Sequence, residues 1–246
     1  GTTFSDILSI GATLSMTDID YRMHSTYTEE YADGGLNKGF DLINSLETDG
    51  TGWQVKAGLI LKPINELRIG LAYHSPTWYK MTDYFYADLN HDLSGLVGTA
   101  DLRSGYASAT VGSYGGDESA VLDYEYRTPD KWEFSLAGVI DNKFILSADY
   151  ELTNYGNMKL YDDYGDNFAW DPNASIKRTF RNASTIRVGA EYLVNKQFSI
   201  RAGYSWMQSP VKTEVKTNSD ELTTDGRSIT HYMLDGDANY ITYGMG

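Results

Sequence analysis

Apolar and polar residues alternate strictly along several stretches of this chain. Residues 9–17 read S-I-G-A-T-L-S-M-T, 68–74 R-I-G-L-A-Y-H, 147–151 S-A-D-Y-E, 185–193 T-I-R-V-G-A-E-Y-L and 199–206 S-I-R-A-G-Y-S-W, with 123–127 (D-Y-E-Y-R) close behind. Successive side chains of a strand point to opposite faces, so each stretch predicts a strand with one apolar face and one face of Gly, Ser, Thr and charge. Eight strand traces are expected, at 4–24, 52–62, 67–88, 118–139, 144–159, 182–193, 197–209 and 239–246.

A water-soluble sandwich alternates in the same way, with its apolar face turned inward. Other features of the pattern favour a bilayer outside the sheet. Aromatic residues crowd the ends of the apolar faces (Trp53, Tyr73, Trp78, Tyr79, Tyr84, Tyr150, Tyr155, Tyr192, Tyr204, Trp206), where amphipathic rings mark the boundary between hydrocarbon and headgroups. Short connections at 62–66, 140–143 and 194–196 alternate with long polar ones at about 28–51, 88–117, 161–178 and 208–238. Strict alternation of short and long turns is expected when each kind lies on its own side of a membrane. Glycines on the polar face (Gly11, Gly58, Gly70, Gly189, Gly203) suit a crowded interior. The predicted fold is therefore all-β, a transmembrane antiparallel up-and-down β-barrel. Pro129 falls within the trace 118–139 and predicts a bulge near the periplasmic rim.

Composition narrows the function. No run approaches the length of apolar sequence that a transmembrane helix needs, and the mean hydropathy of −0.42 is what strands that show lipid only alternate residues would give. A net charge of −14 speaks against nucleic acid as a partner. Cysteine is absent, so no disulfide framework or Cys-ligated metal is available. Acidic residues gather in the long connections (Glu29, Glu30, Asp33, Asp162, Asp163, Asp166, Asp171). They read as solvated loops, with a divalent-cation site as the lesser alternative, because D-D-Y-G-D-N does not have EF-hand spacing. The four histidines (His24, His74, His91, His231) are scattered and assemble no nucleophile–base pair, so no catalytic residue, cofactor or metal is expected.

The chain resembles the FadL/TodX family of outer-membrane transporters for long-chain fatty acids and other hydrophobic compounds. The resemblance is carried by 58–63 (G-L-I-L-K-P), 67–76 (L-R-I-G-L-A-Y-H-S-P), 128–133 (T-P-D-K-W-E) and 148–156 (A-D-Y-E-L-T-N-Y-G), then by 186–192 (I-R-V-G-A-E-Y), 201–204 (R-A-G-Y) and 209–210 (S-P), in that order. It implies a fourteen-stranded barrel with an N-terminal hatch in the outer membrane of a Gram-negative bacterium. Residues 1–246 would then be part of one transmembrane barrel domain, holding about eight strands without the hatch, the first strands or the last. The implied task is passive transport, not enzymatic conversion, of hydrophobic molecules, most of all long-chain fatty acids. The partners would be such a ligand, outer-membrane lipid and lipopolysaccharide. The alternative is a structural or interaction barrel whose long loops bind a protein partner without transport.

A fatty-acid site needs an apolar groove and one or two cations for the carboxylate. The densest basic cluster in this acidic chain is 176–181, and Lys177, Arg178, Phe180 and Arg181 are its candidate ligand-binding residues, leading from a loop into a strand. The resemblance places a lysine important for fatty-acid binding in this region, without fixing which. The same residues also suit a basic rim facing lipopolysaccharide. On the polar faces, Arg68, Arg187 and Arg201 recur with Asp149, Glu151 and Glu191, which predicts cross-strand charge pairs inside the lumen.

Overall fold

The computed structural model describes residues 1–33, 36–91, 120–212 and 236–246. Its strands are β1 (Thr2–Phe4), β2 (Leu8–Asp33), β3 (Leu36–Ile64), β4 (Leu67–His74), β5 (Trp78–His91), β6 (Ala120–Arg127) and β7 (Lys131–Ile140). They continue as β8 (Phe144–Asn154), β9 (Lys159–Asp162), β10 (Asn182–Asn195), β11 (Phe198–Met207) and β12 (Ala238–Met245). One helix, α1 (Pro172–Thr179), precedes β10. All strands join a single 12-stranded antiparallel sheet that ends in β12 on one side and in β2 on the other, with the short β1 paired outside the start of β2.

The sheet order shows that the wall is simpler than its strand count. β3 pairs with β4 along its lower half and with β5 along its upper half, so β4 and β5 are one wall strand interrupted at Ser75-Pro76-Thr77. β7 and β6 form another, interrupted at Thr128-Pro129-Asp130, and β8 and β9 a third, interrupted by a 3-10 turn at Tyr155–Asn157. Counted this way, β2, β3, β4/β5, β6/β7, β8/β9, β10, β11 and β12 give the eight wall strands read from the sequence. The interruptions in 67–88 and 144–159 depart from the continuous traces expected there, while the one in 118–139 falls at Pro129, where a bulge is expected.

The short turns gather at one end. Asp141 and Asn142 both take left-handed φ (51° and 53°), which Asp and Asn tolerate, in the three-residue turn that Lys143 N closes onto Ile140 O at 3.0 Å. At the other end two expectations change. The segment 28–51 is not a loop, because β2 and β3 stay paired from Leu8↔Leu61 to Asp33↔Leu36. The segment 161–178 contains α1, capped by the Asp171 side chain, which accepts from Ala174 N at 3.1 Å, with Pro172 just inside. Most of the expected long connections 88–117 and 208–238 lies outside the described residues.

Burial identifies the solvent. Among the described residues Ala183 and Val211 alone are buried apolar side chains, while Leu14 is 67% and Ile200 49% exposed. Ile10, Leu14 and Met16 share a face with Leu59, Val55 and Trp53, and across the lower wall with Ile69, Phe134, Leu136, Val188 and Tyr204. This outward apolar belt ends in ring pairs at both margins, Tyr73–Trp132 (centroids 4.7 Å apart) toward the long-loop end and Phe144–Tyr192 (4.6 Å) toward the short turns. The opposite face of the same strands lines a cavity of about 530 Å³ and is the lumen.

Above the belt the polarity inverts. Along β2 the outward residues change from Met16 to Asp18 and Asp20, and the inward ones from Thr17 to Ile19; β3 does the same between Trp53 and Thr51. Along β4/β5 the device differs: three residues, 75–77, oppose only Gln54 and Val55 of β3, which is a one-residue bulge. Tyr73 faces out below it, and Tyr79 faces in above it, beside Gly52. The neighbouring interruptions carry the shift through β6 and β9, so that Tyr126 and Leu160 follow Tyr79 inward. Tyr79 therefore leaves the girdle in which its sequence position placed it. Pro129 lies at the long-loop end of β7, not at the periplasmic rim expected for it, because the Ile140–Phe144 turn occupies that rim.

Candidate functional site

The lumen has two storeys, divided by the level of the bulges. The lower one is ionic. Lys131 Nζ lies 2.9 Å from Glu133 and 3.6 Å from Glu151, and Arg187 donates through both terminal nitrogens to Glu151 Oε2 at 3.1 Å. Glu133 and Glu151 face each other directly across β7 and β8, a repulsive pairing that Lys131 and Arg187 offset. His74 Nε2 stands 3.9 Å from Glu133. Nearer the short turns, Arg201 and Glu191 form a two-contact pair at 3.1 Å. Of the six residues expected in lumen charge pairs, Arg187, Glu151, Arg201 and Glu191 are paired. Arg68 and Asp149 lie on the same strand faces but make no ion pair among the described residues. Lys131, Glu133 and His74 were missed, although K-W-E alternates around Trp132 and carried that signal.

Inward glycines make room in this storey. A Cβ at Gly70 would strike Ser135 Oγ, one at Gly189 would meet Ser147 Oγ at 2.9 Å, and one at Gly203 Thr242 Oγ1 at 2.7 Å. Gly11, by contrast, has open space.

The upper storey is aromatic. Tyr79 lies over Gly52, where a Cβ would come within 2.4 Å of its ring, and it stacks on Tyr126 with centroids 6.4 Å apart. Met81 covers Gly50, and Tyr126 Oη points at Met158 sulfur at 3.4 Å. Asp83 closes the cluster on its polar side, accepting from Thr48 Oγ1 at 2.7 Å and Tyr124 Oη at 3.3 Å. Burial first, and the Asp83 carboxylate next, push the Tyr124 phenol up to about 12, so it remains a donor at neutral pH.

Polar side chains hold the bulges in line. Ser75 Oγ accepts from Val55 N at 3.0 Å, and Thr128 Oγ1 accepts from Thr77 N at 2.8 Å. Asp130 accepts from Asn154 Nδ2 at 2.5 Å and Asn157 Nδ2 at 2.9 Å. The two hydroxyls take up backbone donors that the interruptions leave without ladder partners, and Asp130 pins the 3-10 turn through the two asparagine side chains, so Ser75, Thr77 and Asp130 are buried without an apolar role.

α1 packs beside this storey. Buried Asn173 bonds both Leu160 N (2.9 Å) and Leu160 O (2.8 Å), tying the helix to β9. The basic cluster 176–181 is thus the last turn of a helix and its exit, where the sequence led from a loop into a strand. Lys177 and Arg178 are exposed in that turn, and cations there also complement the helix dipole. Phe180 caps the helix and bridges to Val211. Arg181 is committed to structure: its Nε donates to Ser209 O at 3.1 Å. The structure brings these four residues to one side of the mouth but not into a single cradle.

The acidic segments also have local roles. Asp162 Oδ1 accepts from Tyr164 N (3.0 Å) and Asp166 N (2.8 Å), closing the turn at Gly165. Asp20, Glu47 and Asp49 bring carboxylate oxygens within 4.8 Å of one another on the outer face of β2 and β3, and Arg22 ion-pairs with Asp20 at 3.2 Å and Glu47 at 2.9 Å.

An apolar belt outside, an ionic lumen inside and long connections at one end define an outer-membrane β-barrel. A family model described as outer membrane protein transport protein (OMPP1/FadL/TodX) matches residues 4–219, and the chain belongs to that family. The chain is 23% identical over 188 residues to a long-chain fatty acid transport protein of Escherichia coli O6:H1, a match covering 75% of this chain and 39% of the relative's length. Its fold is similar to the crystal structure of a Pseudomonas aeruginosa FadL homologue (TM-score 0.50, 15% identity, 98% of this chain and 63% of that one). It is similar also to a TodX deltaS2S3 mutant monoaromatic hydrocarbon channel (TM-score 0.52, 14% identity, 99% and 58%). The chain therefore spans 39%, 63% and 58% of the lengths of these three relatives.

Proposed function

We propose that the protein passes hydrophobic molecules across the outer membrane, with the aromatic upper storey as their point of entry into the barrel. The observation that carries this reading is the inversion of polarity. Tyr79, Met81 and Tyr126 turn their apolar surface inward at the level where the wall ceases to face lipid. An inward aromatic lining at the mouth offers an apolar ligand a place to leave water. The family membership supports the same reading, while the named relatives include both a fatty-acid transporter and an aromatic-hydrocarbon channel.

Long-chain fatty acids are the substrate class we favour, with Lys177 and Arg178 as carboxylate partners and Phe180 as an apolar contact; Arg181 positions the segment through Ser209. The experiment compares a fatty acid with a neutral hydrocarbon, binding each to the full-length protein in detergent. Tyr79→Ala with Tyr126→Ala should weaken both ligands about tenfold, as loss of aromatic burial predicts. Lys177→Ala with Arg178→Ala should weaken the fatty acid alone, by about fivefold. Unchanged binding in the tyrosine variant would remove the entry role, and equal loss of both ligands in the basic variant would remove the carboxylate role.

A further inference from the structure

The outward face just above the belt carries two cations that the barrel does not neutralise. Arg127 and Lys159 are directly opposite each other across β6 and β9, an arrangement in which like charges repel. Neither side chain makes an ion pair or hydrogen bond among the described residues. Arg127 Nε is the one buried side-chain polar atom among them that lacks a partner. Its guanidinium is held in place all the same, with Cζ 5.0 Å from the Tyr161 ring centroid. Glu125, two residues away on the same face, is shared toward Lys80 at 3.9 Å.

Position says what would complete the pair. Arg127 is also opposite Trp78, which is opposite Trp53 at the upper edge of the apolar belt. This is headgroup level on the long-loop side, where tryptophan collects and the neighbouring lipid surface is anionic. Two cations facing each other, one a guanidinium held against a tyrosine ring, match a phosphate monoester better than a carboxylate or a diester, because the monoester offers three oxygens and nearly two charges. We propose that Arg127 and Lys159 form a binding site for a lipid A phosphate of lipopolysaccharide, with Trp78 against the adjoining acyl region. The site faces out of the barrel and rests on its membrane placement, not on the transport reading.

The test is native mass spectrometry of the full-length protein in detergent, loaded with bisphosphorylated lipid A, phosphate-free lipid A or phosphatidylglycerol. The wild type should retain bisphosphorylated lipid A at least tenfold better than the other two, and Arg127→Gln with Lys159→Gln should lose that preference. Equal retention by wild type and double variant overturns the site. Equal retention of phosphatidylglycerol overturns lipid A as the occupant and gives the cradle to phospholipid. Hydrocarbon binding measured on the same samples should not change, which separates this site from ligand entry. If the double variant fails to show the folded band on unheated electrophoresis, Lys159→Gln alone decides: a loss of about threefold supports the site, and none overturns it.

Discussion

Along β2 the apolar side chains occupy even positions through Met16 and odd positions from Ile19 onward, whereas along β4 and β5 Ile69, Leu71, Tyr73, Tyr79 and Met81 all keep to odd positions, with Trp78 as the large exception. Both strands nonetheless face lipid below and the mouth's interior above. In β2 and β3 the backbone runs unbroken and the sequence changes phase. In β4/β5, β6/β7 and β8/β9 the sequence keeps its phase and the backbone slips by an odd number of residues, one in the first two and three in the last, so the same alternation is turned inside out. Hydrophobic periodicity thus reports which residues share a face, but not which side of the barrel that face is on. A bulge decides the side.

The sharpest way to break this comparison is to delete Pro76 and Thr77 together. Ser75 alone would then separate His74 from Trp78. In an unbroken strand Tyr79 and Met81 would turn outward while Lys80 turned in, whereas deleting Pro76 alone would leave each face as it is. We expect a loss of several kcal/mol of stability, of the order seen when buried and exposed faces exchange. A cysteine at position 80, open to a membrane-impermeant maleimide in the parent, should become protected. Unchanged labelling would show that the bulge does not set the face.

A second test sharpens where the inversion lies. Leu14→Arg puts a charge in the belt and should cost about 2–4 kcal/mol of folding free energy in lipid vesicles, while Thr51→Arg, just above it and beside Asp18, should cost less than about 0.5 kcal/mol. Similar costs for both would move the boundary. The smallest effect concerns the upper storey alone. The Tyr124 phenol is raised in the folded protein, so the stability it contributes is complete below about pH 10 and is lost as the pH climbs toward 12. Between pH 9 and 11.5 the denaturation midpoint should fall further in the parent than in Tyr124→Phe. Equal falls would mean that Tyr124 is not held by burial and Asp83.

These contrasts also explain what the sequence could disclose. The wall strands were legible because each carries a long run of strict alternation, and the lumen pairs Arg187–Glu151 and Arg201–Glu191 because both members sit on the polar phase. Tyr79 was placed on the wrong face, since nothing in S-P-T announces that three residues will oppose two. The segment 28–51 looked like a loop because a ribbon standing clear of the membrane has no lipid face to keep apolar. α1 was hidden by its length: eight residues, capped by Asp171 and tied down by Asn173, owe more to those contacts than to helical periodicity. Arg127 and Lys159 are far apart in sequence, so only the β6–β9 register brings them together.

The abrupt change from Met16 to Asp18 and from Trp53 to Thr51 gives this barrel a waterline. Sinking by two residues, roughly 7 Å of strand, would immerse Asp18 and Thr51 in hydrocarbon; rising by the same amount would strip lipid from Met16 and Trp53. Either displacement costs free energy, so bilayer thickness itself acts as a restoring spring. Membranes that thin or swell around the protein would tilt or strain the barrel before they shifted the mouth, which keeps the aromatic storey at a fixed height above the lipid surface.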